Sequence, residues 1–205
     1  MKKLNSYIQE KLVINKDSQV KQNYSYSPKI TYDLQRIIKE RLEKDQDANL
    51  NDIDVSNIID MSGLFKDLDP HNIKIDKWDV SNVKYMSAMF NECGYFNGDL
   101  SNWDVSKVEN MSFMFSHCLN FEGKGLEKWN VSHVKCMDSM FAECKHFNSD
   151  LSKWDVSKCT DMFYMFENCY KFNCDLNNWD ISNVQDKRGI FQNCKSLQLP
   201  KWYKE

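Results

Sequence analysis

The sequence predicts a repeat solenoid of the α/β class: a curved stack of six short strand–helix units closed at one end by an N-terminal helical cap. Three observations carry that prediction. The tetrapeptide Trp-Asp-Val-Ser occurs at 78–81, 103–106 and 154–157, with near copies at 129–132 and 179–182 and a degenerate one at 53–56. The copies start 25, 25, 26, 25 and 25 residues apart, and apolar residues recur at fixed offsets throughout the unit. A unit of this length cannot bury its own apolar face, whereas stacked copies can.

The columns run through the whole unit. Five residues after the Trp position stand Ile58, Val83, Val108, Val134, Cys159 and Val184. Next comes Met61, Met86, Met111, Met137 and Met162, broken by Lys187. A Phe column follows (65, 90, 115, 141, 166, 191), then Cys93, Cys118, Cys144, Cys169 and Cys194. Met86, Met89, Phe90 and Cys93 lie at i, i+3, i+4 and i+7, one face of a short helix. Trp103 and Val105 alternate with Asp104, as in a half-buried strand. Each unit therefore reads as extended segment, turn, second short strand (83–86 in the second unit), one- to two-turn helix, and a return through Phe96 to Leu100. Strands stack at about 4.8 Å and helices at about 8 to 10 Å, so the stack is expected to bend with its strands on the concave side.

The unit W-D-V-S-x-V-x-x-M-S-x-M-F-x-x-C-x-x-F-N-x-D-L-S-x resembles the repeat of the BspA-like leucine-rich-repeat surface proteins. The likeness spans 51–199 and implies a leucine-rich-repeat-like horseshoe. That family, found in bacterial surface lipoproteins, protozoan surface proteins and some phages, is linked to adhesion and protein binding. Two features depart from it: the chain shows no signal peptide or lipobox, and it has six repeats where surface members often have many more.

Outside the repeats, 31–44 places Leu34, Ile37, Ile38 and Leu42 on one helical face, so 28–50 reads as the cap that an open repeat end requires. Residues 1–27 read as a leader helix with a weak stripe (Leu4, Tyr7, Ile8, Leu12) and a polar linker over 15–27. The stripe is a candidate docking segment; a frayed terminus is the alternative. Residues 200–205 form a tail in which Trp202 is expected to cover the last core layer.

Composition narrows the function. The chain has 205 residues, 27 Lys plus Arg against 30 Asp plus Glu, and a formal charge of -3. That gives no electrostatic case for nucleic acid. The longest apolar run near the start is 12–14, too short for a signal peptide, and no window approaches the roughly 18 apolar residues that span a bilayer. The expectation is no membrane insertion and a cytoplasmic location, or a virion-associated one if the chain is phage-encoded. The column cysteines and Cys159 are read as reduced core thiols, while Cys136 and Cys174 lie off the columns and are read as candidates for exposure. His117, His133, Cys136 and His146 sit at scattered offsets, which argues against zinc. The column Asp54, Asp79, Asp104, Asn130, Asp155 and Asp180 reads as turn capping rather than calcium binding, and the Trp column as core rather than a sugar platform. No catalytic motif is present, and no cofactor is expected.

The functional expectation is a non-catalytic scaffold that recognises another macromolecule, protein first, through side chains that vary between repeats. The candidates are Tyr85, Tyr95, Phe113, Leu119, Phe163, Tyr164 and Tyr170. An adhesin-like or phage virion-associated protein binding a cell-surface glycan or receptor is the alternative; a structural spacer is the third.

Overall fold

The computed structural model describes residues 24–204; the leader stripe Leu4, Tyr7, Ile8 and Leu12 lies outside them. Among the described residues there is one α-helix, α1 (Thr31–Leu42), and one 3-10 turn, Leu126–Lys128. The six strand–helix units expected from the sequence are not seen. The repeats contain no α-helix, and isolated parallel bridges stand in place of strands. Without a strand layer and a helix layer of unequal spacing, the leucine-rich-repeat-like bend has no basis. Each unit is instead one coil of consecutive tight turns. The coils lie in register through a column of bridges linking Asp60, Tyr85, Asn110, Cys136, Asp161 and Asp186.

The segment read as a helix shows why it is not one. Met86, Met89, Phe90 and Cys93 do point into the core. Yet the N–H groups of Met86, Ala88, Phe90 and Glu92 donate to the carbonyls of Asn110, Ser112, Met114 and Ser116 in the next coil, at 2.8 to 3.0 Å. The intervening N–H groups of Met89, Asn91 and Cys93 close turns on the carbonyls three residues back. Ala88 and Glu92 have φ of 53° and 65°. A left-handed residue at every fourth position stops an α-helix from propagating. Two successive turns and a helix share the same inward spacing, so the apolar pattern alone does not separate them. The later coils repeat the ladder, for example Ser139 N–H to Phe163 O at 2.7 Å and Tyr164 N–H to Arg188 O at 3.0 Å.

The core is a set of stacked columns. Neighbouring Phe65, Phe90, Phe115, Phe141, Phe166 and Phe191 rings lie 5.0 to 5.8 Å apart, nearly parallel. The Trp column is buried, and each indole N–H donates to a carbonyl near the end of a preceding coil: Trp103 to Ile75, Trp154 to Leu126, Trp179 to Leu151. The buried indole thus has the partner that its polar atom requires.

Few glycines and prolines are needed because Asx turns form the corners. In the fifth coil Asp155, Asp161 and Asp175 each accept the backbone N–H two residues on, at 3.1, 3.1 and 2.9 Å. The Asp column read as capping does this from Asp54 to Asp180, with Asn130 holding Ser132.

The two ends differ. Leu50 occupies the slot of Ile75 and Leu100 one period earlier, so α1 stands where a preceding coil would carry its turn segment. Its Leu34, Ile37, Ile38 and Leu42 are buried against the first coil. Thr31 Oγ1 donates to the Asp60 carbonyl, and Gln35 Nε2 to that of Gly63. Of the stretch read as a linker, 24–27 pairs with the first coil: Tyr26 bridges Ile53 and accepts the Asp54 N–H at 2.8 Å. At the other end Trp202 and Tyr203 pack on Phe191, with ring centroids 5.7 and 5.3 Å away. Trp202 Nε1 donates to Leu176 O, the bond of a sixth Trp in the column.

Candidate interaction surface

The slots that vary between coils are gathered on two ridges. The first flanks the bridge column. Tyr85 and Phe113 are exposed there, while Phe163 and Tyr164 are half-buried. Phe163 and Tyr164 meet edge to face at 4.2 Å, and the Arg188 guanidinium lies 5.1 Å from the Phe163 ring centre. Tyr164 lies across Gly189, whose added Cβ would fall 2.1 Å from the ring. These two aromatics are therefore partly committed to packing on the sixth coil.

The second ridge carries Tyr95, Leu119 and Tyr170. Tyr95 is 60 % exposed and touches His71, with ring centroids 4.6 Å apart. Leu119 lies over Gly94, in a shallow depression that also includes Tyr95, Asp69 and His117. Tyr170 holds the Lys195 ammonium 5.1 Å above its ring. The seven candidates thus form two separate groups rather than one patch.

The sequence reasoning missed Ile59, 54 % exposed, and Tyr32, 70 % exposed. Ile59 had a readable signal. Its slot holds Lys84, Glu109, Lys135, Thr160 and Gln185 in the other coils, so an apolar residue there faces solvent. Tyr32 follows Thr31, which binds the Asp60 carbonyl; this brings it to the same end of the bridge column.

Tyr85 and Phe113 occupy slots where another residue would serve the fold better. At the Tyr85 slot Asp60, Asn110, Asp161 and Asp186 each accept the N–H two residues on, at 2.8 to 3.1 Å. A phenol has no acceptor at that reach. Phe113 has φ of 58° in a slot held by Gly63 and Gly189 at the ends of the stack. A bulky residue in the left-handed region costs about 1 to 2 kcal/mol, and a ring 42 % exposed recovers little of that by burial.

The thiols belong to the core. Sγ of Cys93, Cys118, Cys144, Cys169 and Cys194 donates to the carbonyl of Phe65, Phe90, Phe115, Phe141 and Phe166, one coil back, at 2.9 to 3.2 Å. Burial pushes the Cys93 and Cys194 thiols up to about 12 and raises Cys118, Cys144 and Cys169 as well. Cys174, read from the sequence as off the columns and exposed, is buried, and its sulfur accepts the Leu151 N–H at 3.2 Å. Cys136 is half-buried in the bridge column. Among the described residues no three His, Cys, Asp or Glu side chains converge as a metal site would require. No helix among them is long and apolar enough to cross a membrane.

A stacked-coil repeat protein with a coil-to-coil backbone ladder and coil-specific exposed aromatics is the class that these features define. The chain belongs to the family described as Mycoplasma protein of unknown function, DUF285, whose model matches residues 32–126 and 115–203. No curated protein and no solved structure matches it.

Proposed function

We propose that the chain is a non-catalytic binding scaffold that recognises another protein through the ridge carrying Tyr85 and Phe113. The observation that supports this reading is the cost of those two residues to the fold. Tyr85 gives up a capping acceptor, and Phe113 sits exposed at a positive φ that glycine takes without strain. Exposed aromatics are the usual anchors of protein interfaces. The likeness of the repeat to the BspA-like surface proteins supports a binding role of the same kind. The buried Trp column weakens the glycan alternative, because its rings and indole N–H groups are already used inside the stack.

The test compares the full chain with a Tyr85→Asp/Phe113→Gly variant in pull-downs from candidate host extracts, with a glycan array in parallel. The expected result is a protein retained by the wild type and lost by the variant, with a silent array. Retention by both, or binding confined to the array, would contradict it.

A further inference from the structure

The two ends of the stack are chemically unequal. The first coil's outward carbonyls face α1, and Thr31 already occupies one of them. Among the described residues the sixth coil has no counterpart cover. In every earlier coil the N–H groups at the Lys187, Gly189 and Phe191 slots point to the next coil, and from the second coil on so does the N–H at the Asn193 slot, as Met162, Tyr164, Phe166 and Asn168 do toward Asp186, Arg188, Ile190 and Gln192. In the sixth coil these four N–H groups have no acceptor among the described residues. Trp202 and Tyr203 cover the apolar layer at Phe191 but leave the N–H row open. Gly189 and Asn193 hold the same left-handed φ, 64° and 60°, as their counterparts, so the row is already in the conformation that pairs.

Bases outnumber acids in its surroundings. Residues 185–204 contain Lys187, Arg188, Lys195, Lys201 and Lys204 against one acid, Asp186, in a chain whose formal charge is -3. Asp186 is engaged by Arg188, at 2.6 Å from its Nη2. The charged residues lining a groove beside the row are Lys187, Arg188 and Lys204 together with Asp161 and Asp186.

We infer that this open edge is a docking edge for an extended, acidic segment of another polypeptide, which adds its carbonyls to the N–H row of the sixth coil. Edge addition takes its affinity from main-chain hydrogen bonds and its selectivity from flanking side chains. Here the flanking side chains select carboxylates. A second copy does not fit. Its carbonyl edge is covered by α1, and its own open edge would set donors against donors. The leader 1–23 is a poor match by charge, with five Lys against Glu10 and Asp17.

The experiment uses the full chain and two synthetic nonapeptides, Glu-Val and Lys-Val alternating, with amide hydrogen exchange read at Gly189, Phe191 and Asn193. At ten times its Kd the acidic peptide is expected to slow exchange there about tenfold. The lysine peptide is expected to have no effect, and the protection to vanish in Lys195→Glu/Lys201→Glu/Lys204→Glu. The Tyr85→Asp/Phe113→Gly variant is expected to keep the protection, which separates this edge from the aromatic ridge. No protection by the acidic peptide at about 1 mM, or equal protection by both peptides, would overturn the inference. So would peptide-free protection that grows with protein concentration or is lost when residues 1–23 are deleted, since the occupant would then be a second copy or the chain's own leader.

Discussion

The Cys118 thiol donates to the Phe90 carbonyl across 2.9 Å, linking two coils through a group that the sequence presents as simple packing. The same bond recurs at every cysteine of the column, so the thiols tie the stack together at one position per coil. Removing one deletes both the donor and buried volume. Cys144→Ala is expected to destabilise the protein by about 1 to 3 kcal/mol, measured by denaturant unfolding. A change within error would show that the thiol bond and its packing contribute nothing.

Thiol reactivity follows from the same burial. The thiolate is the reactive form, and burial raises the column thiols far from neutrality. A thiol reagent on the native protein should label Cys136 first: it is half-buried, and the other half-buried thiol, Cys194, donates to the Phe166 carbonyl and is pushed up to about 12. All eight cysteines of the sequence should react once the chain is unfolded without reductant. Rapid native labelling of Cys118 or Cys144 would refute the packing described.

Acid sensitivity should trace to the Asx corners. The Lys124 ammonium, with help from Ser101, holds the Asp99 carboxyl at about 2, below the ordinary 3.8. Because the folded value lies below the unfolded one, the stabilisation is complete above pH 3.8 and is lost as pH falls toward about 2. Asp104, Asp150 and Asp155 are lowered in the same direction by their Ser106, Ser152 and Ser157 partners. Asp99→Asn should therefore make the melting temperature fall less steeply over that window. An unchanged slope would mean that this exposed pair is screened out by solvent.

The two truncations at the N-terminus should differ. Deleting 1–27 removes the pairing of Ser25 and Tyr26 with the first coil, a loss of about 1 to 4 kcal/mol for three backbone hydrogen bonds. Deleting 1–48 also removes α1 and exposes the first coil to water. Leu34 and Ile38 are fully buried, and each such side chain contributes about 1.5 to 3 kcal/mol. Thermal melts should show a modest drop for the first and aggregation or loss of a cooperative transition for the second. Equal behaviour would place the cap elsewhere.

The Tyr85→Asp/Phe113→Gly variant should be at least as stable as the wild type. Asp restores a capping bond and Gly relieves a strained φ, gains of about 1 and about 1 to 2 kcal/mol that glycine's greater entropy loss on folding, about 0.5 to 1 kcal/mol, only partly offsets. A large loss of stability would mean that these aromatics serve the fold, and the binding role proposed for them would lose its support.

The repeat and its inward columns were legible because identical slots must land on one another in any stack; the buried Met, Phe, Cys and Trp columns follow from that alone. The direction of the backbone hydrogen bonds was not legible. Met86, Met89, Phe90 and Cys93 satisfy a helical spacing, and nothing in their identities reveals that Ala88 and Glu92 take positive φ; only Gly63 and Gly189, at the ends of the stack, hint at it. The candidate surface was half legible. Variable aromatics could be named by elimination, but their division into two ridges depends on turn geometry, as does the burial of Tyr164 over Gly189. The open N–H row of the sixth coil was hidden for the same reason. Lys187 marked that coil as irregular, and its Val184 and Cys194 are partly exposed.

The central claim is that the repeats are joined by a coil-to-coil backbone ladder. Trans-hydrogen-bond scalar couplings between amide nitrogens and carbonyl carbons test it directly. The structure predicts couplings from Ala88 to Ser112, Phe113 to Asp138, Ser139 to Phe163 and Tyr164 to Arg188, each reaching the next coil. Couplings from the same amides to carbonyls four residues back would restore the strand–helix unit and contradict the account.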